Sequence, residues 1–249
     1  MKQETLLAID VGGSYVKAGR VDVASGRVHG DVVRKPTPLG AAPAAVMDVV
    51  VQACHELPAE GPVGLTFPGV VKNGIAWTAA NVDEHWIGLD VKKTLEQRIS
   101  RPVAFLNDAD AAGIAEMSLG AGRGRKGTVM VLTLGTGIGT ALFTDGRLVP
   151  NTELGHLEVL GQEAEHRAAA RVRVDRGLGW PEWSEAVNEV LASYHALLWP
   201  DLFIIGGGVT ENWNRFGTLL RCRAEILRAY FGNDAGIVGA ALAAAALTR

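Results

Sequence analysis

Apolar and polar positions follow two rhythms along this chain, one of strand length and one of helical period, and they alternate in an orderly way. Between Thr5 and Lys35 three short segments, TLLAID, VKAGRVDV and RVHGDVVRK, carry the strand rhythm, with turns at 11–15 and 24–26. After a proline-rich connection, Lys35-Pro-Thr-Pro38, apolar residues recur at Val46, Val49, Val50 and Ala53, which predicts a helix over about 41–56. The run GPVGLTFPGVV predicts a buried strand ending at the Pro68-Gly69 turn. Asp90 then stands where a helix over 91–99 needs its cap. The apolar run Val103–Leu106 predicts another buried strand, followed at once by an alanine-rich helical pattern. The order is β-β-β-α-β-α-β-α, a mixed sheet with helices.

A second β-rich unit starts at Thr128, where TVMVLTLGTGIGTALFTDGRLVP reads as strand, glycine loop, strand and hairpin. Helical segments are expected over 162–175 and 182–198. The strand DLFIIGG then ends in Gly206–Gly208, with Thr210 expected to cap a further helix. A last helix follows Asn233-Asp-Ala-Gly236. Each half of the chain thus opens with a strand, a glycine loop and a strand, the pattern of an internal duplication.

Length allows one large domain or two of about 100–130 residues. With 48% hydrophobic residues and a net charge of −3, the chain can bury a core and has no bulk affinity for nucleic acid or an anionic membrane. Cys54 and Cys222 have no neighbouring thiol, which excludes a disulfide scaffold and a cysteine-rich zinc site and fits a reducing cytoplasm. No signal peptide is visible, and the alanine-rich tail over 238–247 is too short to span a bilayer.

The chemistry concentrates where strands end. In Asp10-Val-Gly-Gly-Ser-Tyr-Val-Lys17, Gly12 and Gly13 can present consecutive N–H groups to an anion; Ser14 adds a hydroxyl and Lys17 a positive charge. Asp10 supplies a carboxylate able to hold a hydrated Mg²⁺ beside a phosphate. The same residues also suit an ordinary glycine hairpin. The Gly-Lys-Ser/Thr ending of a P-loop is missing, and a strand follows in place of a helix. Gly135, Thr136, Gly137 and Gly139 form a second loop of this kind, and the strand after them argues against a dinucleotide fingerprint. Asn107 and Asp108 fall at the carboxyl end of their strand, where ligands of open α/β sheets sit, although both residues are also good helix caps. Glu153 and His156 lie three apart around a glycine, near enough to reach one small polar ligand or simply to decorate the surface. With no cysteine after it, His156 has no evident metal-ligand partners. The loop 80–88 mixes polar side chains with an aromatic, a composition suited to a sugar pocket and equally common on plain surface.

Seven stretches in register, Asp10-x-Gly-Gly-Ser-x-x-Lys17, Trp86-Ile-Gly88, Leu106-Asn-Asp-Ala-Asp-Ala-Ala-Gly113, Leu134-Gly-Thr-Gly-Ile-Gly139, Asn151-Thr-Glu-Leu-Gly-His156, Ile205-Gly-Gly-Gly208 and Asn233-Asp-Ala-Gly-Ile-Val-Gly239, resemble the ROK (repressor, open reading frame, kinase) sugar kinases over nearly the whole chain. Within that family Lys17, the short length and the Asn-Thr-Glu-Leu-Gly-His spelling resemble the glucokinases that use inorganic polyphosphate. The resemblance implies the actin-like ATPase (ribonuclease H-like) fold, an α/β fold of two lobes with a cleft. The N-terminal lobe would span 1–107, with the helix over 236–249 packed back on it, and the C-terminal lobe 108–235. It implies phosphoryl transfer from polyphosphate, or ATP, to the 6-hydroxyl of glucose with Mg²⁺, in a cytoplasmic homodimer.

Asp108 would then be the catalytic base. Asn107, Glu153, His156, Glu165 and Gly69 would bind the sugar. Asp10, Gly12, Gly13, Ser14, Lys17, Gly135, Thr136, Gly137, Gly139, Gly207 and Gly208 would hold donor phosphates, with Mg²⁺ reached from Asp10 through water. Lobe closure would exclude water.

The sequence departs from the family in two places. The cysteine-rich zinc motif that many relatives carry after the Gly-His is replaced by LEVLGQEAEHRAA, so no zinc is expected and Glu165 becomes the candidate for the glutamate that ends that motif. Tyr15 stands where a glycine is usual, and its ring would narrow the donor channel or stack at its mouth. A polyanion would track along Lys17, Lys72, Arg123, Arg125, Lys126, Arg171 or Arg173. An ATP-dependent hexokinase acting on glucose, mannose or fructose is the main rival reading. A sugar-sensing regulator is disfavoured because Asp10 leaves no room for a DNA-binding segment ahead of it and Asn107-Asp108 is intact.

Overall fold

The computed structural model describes residues 5–248; Met1–Glu4 and Arg249, all assigned to the expected N-terminal lobe, lie outside the described residues. The chain divides into two compact units, 5–115 with 234–248, and 116–233. The division falls inside a helix, eight residues beyond the expected boundary.

In the first unit β1 (Thr5–Val11), β2 (Tyr15–Asp22) and β3 (Arg27–Pro36) form an antiparallel meander, followed by α1 (Pro43–Glu56) and β4 (Val63–Phe67). A small hairpin, β5 (Val71–Lys72) and β6 (Ile75–Ala76), precedes α2 (Val91–Ile99), β7 (Val103–Asn107) and α3 (Asp108–Leu119). The sheet order is β3-β2-β1-β4-β7, with β4 and β7 parallel to β1.

In the second unit β8 (Thr128–Leu134), β9 (Ile138–Thr144) and β10 (Arg147–Val149) repeat the meander. The hairpin of β11 (Glu158–Val159) and β12 (Gln162–Glu163) leads into α4 (Ala164–Ala168), α5 (Ala170–Asp175) and α6 (Trp180–Leu198). Then come β13 (Leu202–Gly206), the one-turn α7 (Trp213–Phe216) and β14 (Glu225–Arg228). The order β10-β9-β8-β13-β14, with β13 and β14 parallel to β8, matches the first sheet strand for strand. The duplication suggested by two glycine hairpins therefore extends to two whole five-stranded sheets.

Burial explains the layout. β1 and β4 lie in mid-sheet and bury both faces, so they read as unbroken apolar runs, whereas the edge strand β3 stays largely open. In α1, Val46, Met47, Val50, Ala53 and Cys54 fall on one stripe, and Pro43 opens the helix where its missing N–H costs nothing. The final helix α8 (Ala235–Ala245) is small-residued for a steric reason. Gly64 of β4 lies against the Ala240 carbonyl and Gly239 against the Ala111 carbonyl, so a β-carbon on either glycine would overlap backbone. α8 thereby packs on the first sheet.

Several local expectations are corrected. The helix expected over 162–175 is broken by extended backbone at Ala169 into α4 and α5, after the short strand β12. Thr210 caps no helix: it lies in a 3₁₀ turn, where its hydroxyl donates to the Gly207 carbonyl. The aromatic of the loop over 80–88, Trp86, belongs to the core: it is buried against Phe67, with its indole N–H on the Ala41 carbonyl at 2.8 Å.

Candidate active site

In the first unit the parallel register brings three strand ends side by side. Asp10 of β1 pairs with Thr66 of β4, and Phe67 of β4 with Asn107 of β7. Their carboxyl edges carry Asp10, Pro68-Gly69 and Asn107-Asp108 across two strand spacings, about 10 Å. Asp10 accepts from the Thr66 hydroxyl and has the backbone of Gly236 against its carboxylate. Burial pushes the Asp10 carboxyl above its ordinary range, and the Thr66 hydrogen bond and the Lys17 charge pull the other way. Opposite Asp10 on β2, Lys17 puts Nζ 2.6 Å from Asp234 Oδ1.

Between them the turn Gly12–Ser14 is held by Gly12 N–H on the Tyr15 carbonyl, and the Thr37 hydroxyl donates to the Gly12 carbonyl at 2.6 Å. Asn81, with left-handed backbone, lies against Gly13, a contact between distant segments that no local pattern signals. The Tyr15 ring is half exposed and carries the Arg34 guanidinium over one face, 4.8 Å from the ring centre.

The capping reading of Asn107 holds, and it is not the whole of that residue. Its Oδ1 accepts from Asp110 N–H at 2.9 Å, opening α3, while its amide donates to the Gly69 carbonyl at 3.1 Å. Asn107 thus fixes the Gly69 turn beside the first turn of the helix. Asp108 Oδ1 accepts from Ala109 N–H at 2.8 Å, at the same helix start, where the helix dipole favours a carboxylate.

In the second unit the loop 151–156 is pinned from three sides. Thr140 of β9 and Thr152 exchange hydroxyl-to-carbonyl bonds, and Leu154 N–H reaches the Thr140 hydroxyl at 3.2 Å. Tyr194 of α6 donates to the Leu154 carbonyl at 2.7 Å, and Gly155 sits so close to Ile138 that a β-carbon would overlap its carbonyl. So held, the loop brings Glu153 and His156 together with Glu165 of α4, 4.0 and 3.9 Å from the imidazole nitrogens.

Sequence reasoning missed Glu163, whose carboxylate takes the His156 Nδ1 hydrogen bond at 3.0 Å. The tight hairpin of β11 and β12 returns it to His156, and only that turn could have signalled it. This bond raises the His156 pKa, aided by the surrounding carboxylates; burial raises that of Glu153. The expectation that His156 has no metal-ligand neighbours is corrected: ligand atoms of His156, Glu163 and Glu165 lie within 4.8 Å of one another, a set able to take a divalent ion.

The glycine loops of this unit meet as well. Gly207, at φ +86°, lies against the Leu134 backbone just before Gly135, and both the positive φ and the close approach require glycine. Arg171 N–H donates to the Gly135 carbonyl at 3.1 Å, and Gly137 lies against the Glu165 carboxylate. Of the basic residues proposed as a polyanion track, Arg125 is engaged in a two-pronged pair with Glu225, Arg171 with Asp175, and Arg173 with the Trp180 ring at 4.0 Å.

Each unit carries its own set of polar groups and glycine loops at its strand ends, and comparison with known proteins decides the family. The model of the ROK family matches residues 6–169. The chain belongs to the ROK family.

Among its ROK relatives, a polyphosphate glucokinase of Mycobacterium tuberculosis is 46% identical over 241 residues, 96% of this chain and 91% of that protein. The crystal structure of an inorganic polyphosphate/ATP-glucomannokinase from Arthrobacter sp. superposes with a TM-score of 0.93 at 45% identity, covering 98% of this chain and 99% of the other. A ROK family glucokinase from Streptomyces griseus, solved with glucose and AMPPNP, gives a TM-score of 0.82 at 26% identity, covering 95% and 98%. The ROK membership and these structures give the fold as actin-like, in line with the two matching mixed sheets. No helix among the described residues is long and apolar enough to cross a membrane.

Proposed function

We infer that this chain is a kinase that transfers the terminal phosphoryl group of inorganic polyphosphate to the 6-hydroxyl of glucose, releasing a polyphosphate one unit shorter and glucose 6-phosphate. The observation that carries this reading is the 46% identity to polyphosphate glucokinases over nearly the whole chain, with Asn107-Asp108 intact at the end of β7.

Asp108 takes the proton of the 6-hydroxyl as its oxygen attacks phosphorus, and base assistance of this kind contributes about 10²–10⁴-fold. Asn107 acts by holding Gly69 against the sugar and starting α3. Glu153, His156 and Glu165 accept from or donate to the sugar hydroxyls, His156 keeping its orientation through Glu163. Gly12, Gly13 and Ser14, with Gly135, Thr136, Gly137, Gly139, Gly207 and Gly208, offer backbone and hydroxyl donors to the donor phosphates, and Lys17 adds charge.

The donor set fits Mg²⁺. Asp10 is a hard oxygen ligand beside the Thr66 hydroxyl and the Gly12–Ser14 turn, suited to holding the ion through its waters, as Mg²⁺ dehydrates reluctantly. Bound there, Mg²⁺ offsets charge on the transferring phosphoryl group.

ATP serves as a second donor in this reading, with the Gly206–Gly208 loop meeting the nucleotide; the likeness to a polyphosphate/ATP-glucomannokinase supports this and extends the acceptor to mannose. A homodimer in the cytoplasm completes the proposal, and sedimentation equilibrium tests its assembly.

The deciding experiment measures glucose 6-phosphate formation with Mg²⁺ and polyphosphate, ATP or no donor, on the wild type and on Asp108→Asn. Turnover with polyphosphate that the substitution abolishes while glucose still binds supports the donor and the base together. Turnover with ATP alone overturns the donor; sugar binding without turnover from either donor overturns the kinase reading.

A further inference from the structure

On the first sheet, away from the residues described so far, β1, β2 and β3 enclose an open depression of about 420 Å³ with the loop after α1, lined by Thr5, Arg20, His29, Pro58 and Ala59. Arg20 stands opposite Leu7 on one side and opposite His29 on the other, so both basic side chains project from neighbouring strands on one face. That is the Leu7 face of the sheet, whereas Asp10 and Lys17 belong to the other. Leu7 lies four residue steps along β1 from Val11 at the glycine turn, about 14 Å at strand rise.

Arg20 Nε and His29 Nε2 are both shut off from bulk solvent and, among the described residues, have no hydrogen-bond partner. Among the described residues the Arg20 guanidinium makes no ion pair either. The nearby acidic residue Glu56 is paired with Lys35 at 2.6 Å, and the carbonyls of Glu60 and Gly61 are taken by Arg101. A buried donor without an acceptor costs about 1–3 kcal/mol, and that cost is met when a ligand supplies the acceptor. A surface arginine that merely covers apolar area with its stem keeps its nitrogens in water, and Arg20 Nε does not.

We propose that this depression is a second anion site that binds a phosphate group, with Arg20 and His29 as its donors. A guanidinium presents a planar fork of N–H donors to an oxyanion, and an imidazole beside it supplies a second donor and, when protonated, a second charge, which suits a dianion better than a carboxylate. Thr5 lines the same depression and can add a hydroxyl. Phosphate chemistry could arrive as free inorganic phosphate, as part of a polyphosphate chain or as a sugar phosphate.

The test follows the Arg20 Nε–H and His29 ring signals of the full chain by NMR while inorganic phosphate, tripolyphosphate, glucose 6-phosphate or acetate is added at constant ionic strength. The expected result is a saturable shift of both residues with phosphate-bearing probes and none with acetate. Arg20→Gln should weaken the His29 response at least tenfold while Asp108→Asn leaves it intact; if Arg20→Gln does not fold, His29→Gln should weaken the Arg20 response in the same way. The tightest of the three phosphate probes then names the source. Absence of saturation, equal saturation by acetate, or a response unchanged by Arg20→Gln, or by His29→Gln where that variant stands in for it, overturns the proposal.

Discussion

The carboxylate of Glu165 lies directly on Gly137, so that a β-carbon on residue 137 would overlap Oε2. A glycine of the proposed donor loop and a glutamate of the proposed sugar cluster are therefore in contact within one unit. Because the atom displaced is the end of a flexible side chain, Gly137→Ala should leave the fold intact and move Glu165. The expected outcome is a rise of roughly tenfold in the KM for glucose, about 1.4 kcal/mol, with little change in melting temperature. An unchanged KM would remove Glu165 from the sugar site.

Lys17 and Asp234 are 217 residues apart in sequence and 2.6 Å apart in space. A donor phosphate that engages Lys17 must compete with that carboxylate. Lys17→Met should raise the KM for polyphosphate at least tenfold and leave that for glucose nearly unchanged. Asp234→Asn should lower the KM for polyphosphate at low salt, an advantage that shrinks as salt screens the site. Steady-state kinetics at two ionic strengths check both, and a glucose effect from Lys17→Met would move Lys17 out of the donor role.

The His156 and Glu163 pair predicts a pH window. The His156 pKa is raised above 6.5, first by its hydrogen bond to Glu163, so its contribution to stability is full below pH 6.5 and is lost as pH rises through the folded value. That bond also lowers the Glu163 pKa below 4.5, so the Glu163 contribution is full above pH 4.5 and is lost as pH falls through its folded value. Together they help most between about pH 4.5 and 6.5. Glu163→Gln should return the His156 titration, followed by its ring protons, toward 6.5. A titration that does not move would show the bond absent in solution.

Much of this was legible in the sequence because it is local. The caps at Asp90 and Asn107, the glycine turn at Gly12-Gly13 and the strand runs of β1 and β8 each follow from neighbours a few residues away. What stayed hidden depends on long-range contact. Nothing near Trp86 says that its ring packs on Phe67, and nothing near Lys17 names Asp234 as its partner. The break at Ala169 escaped for a related reason: alanine-rich sequence is compatible with one long helix, and no residue type beside Ala169 marks its extended backbone.

Glu116 is one of the buried polar residues that sequence reading passed over. Fully buried in the second unit, it spends both carboxylate oxygens on backbone, accepting from Ala121 N–H at 3.0 Å, Tyr230 N–H at 3.0 Å and Phe231 N–H at 2.8 Å. Gly120 lies so close that a larger residue there would displace the carboxylate. Glu116→Gln replaces one acceptor by an NH₂ that faces N–H donors, leaving buried groups unsatisfied at a cost of about 1–3 kcal/mol. Urea unfolding should show that loss as a lower midpoint with an unchanged slope. Hydrogen exchange should speed up first at Phe231 where the NH₂ replaces Oε1, or at Tyr230 and Ala121 where it replaces Oε2, since those amides lose their acceptor. Exchange that rises evenly over the unit instead would mean that Glu116 stabilises the fold without pinning this segment.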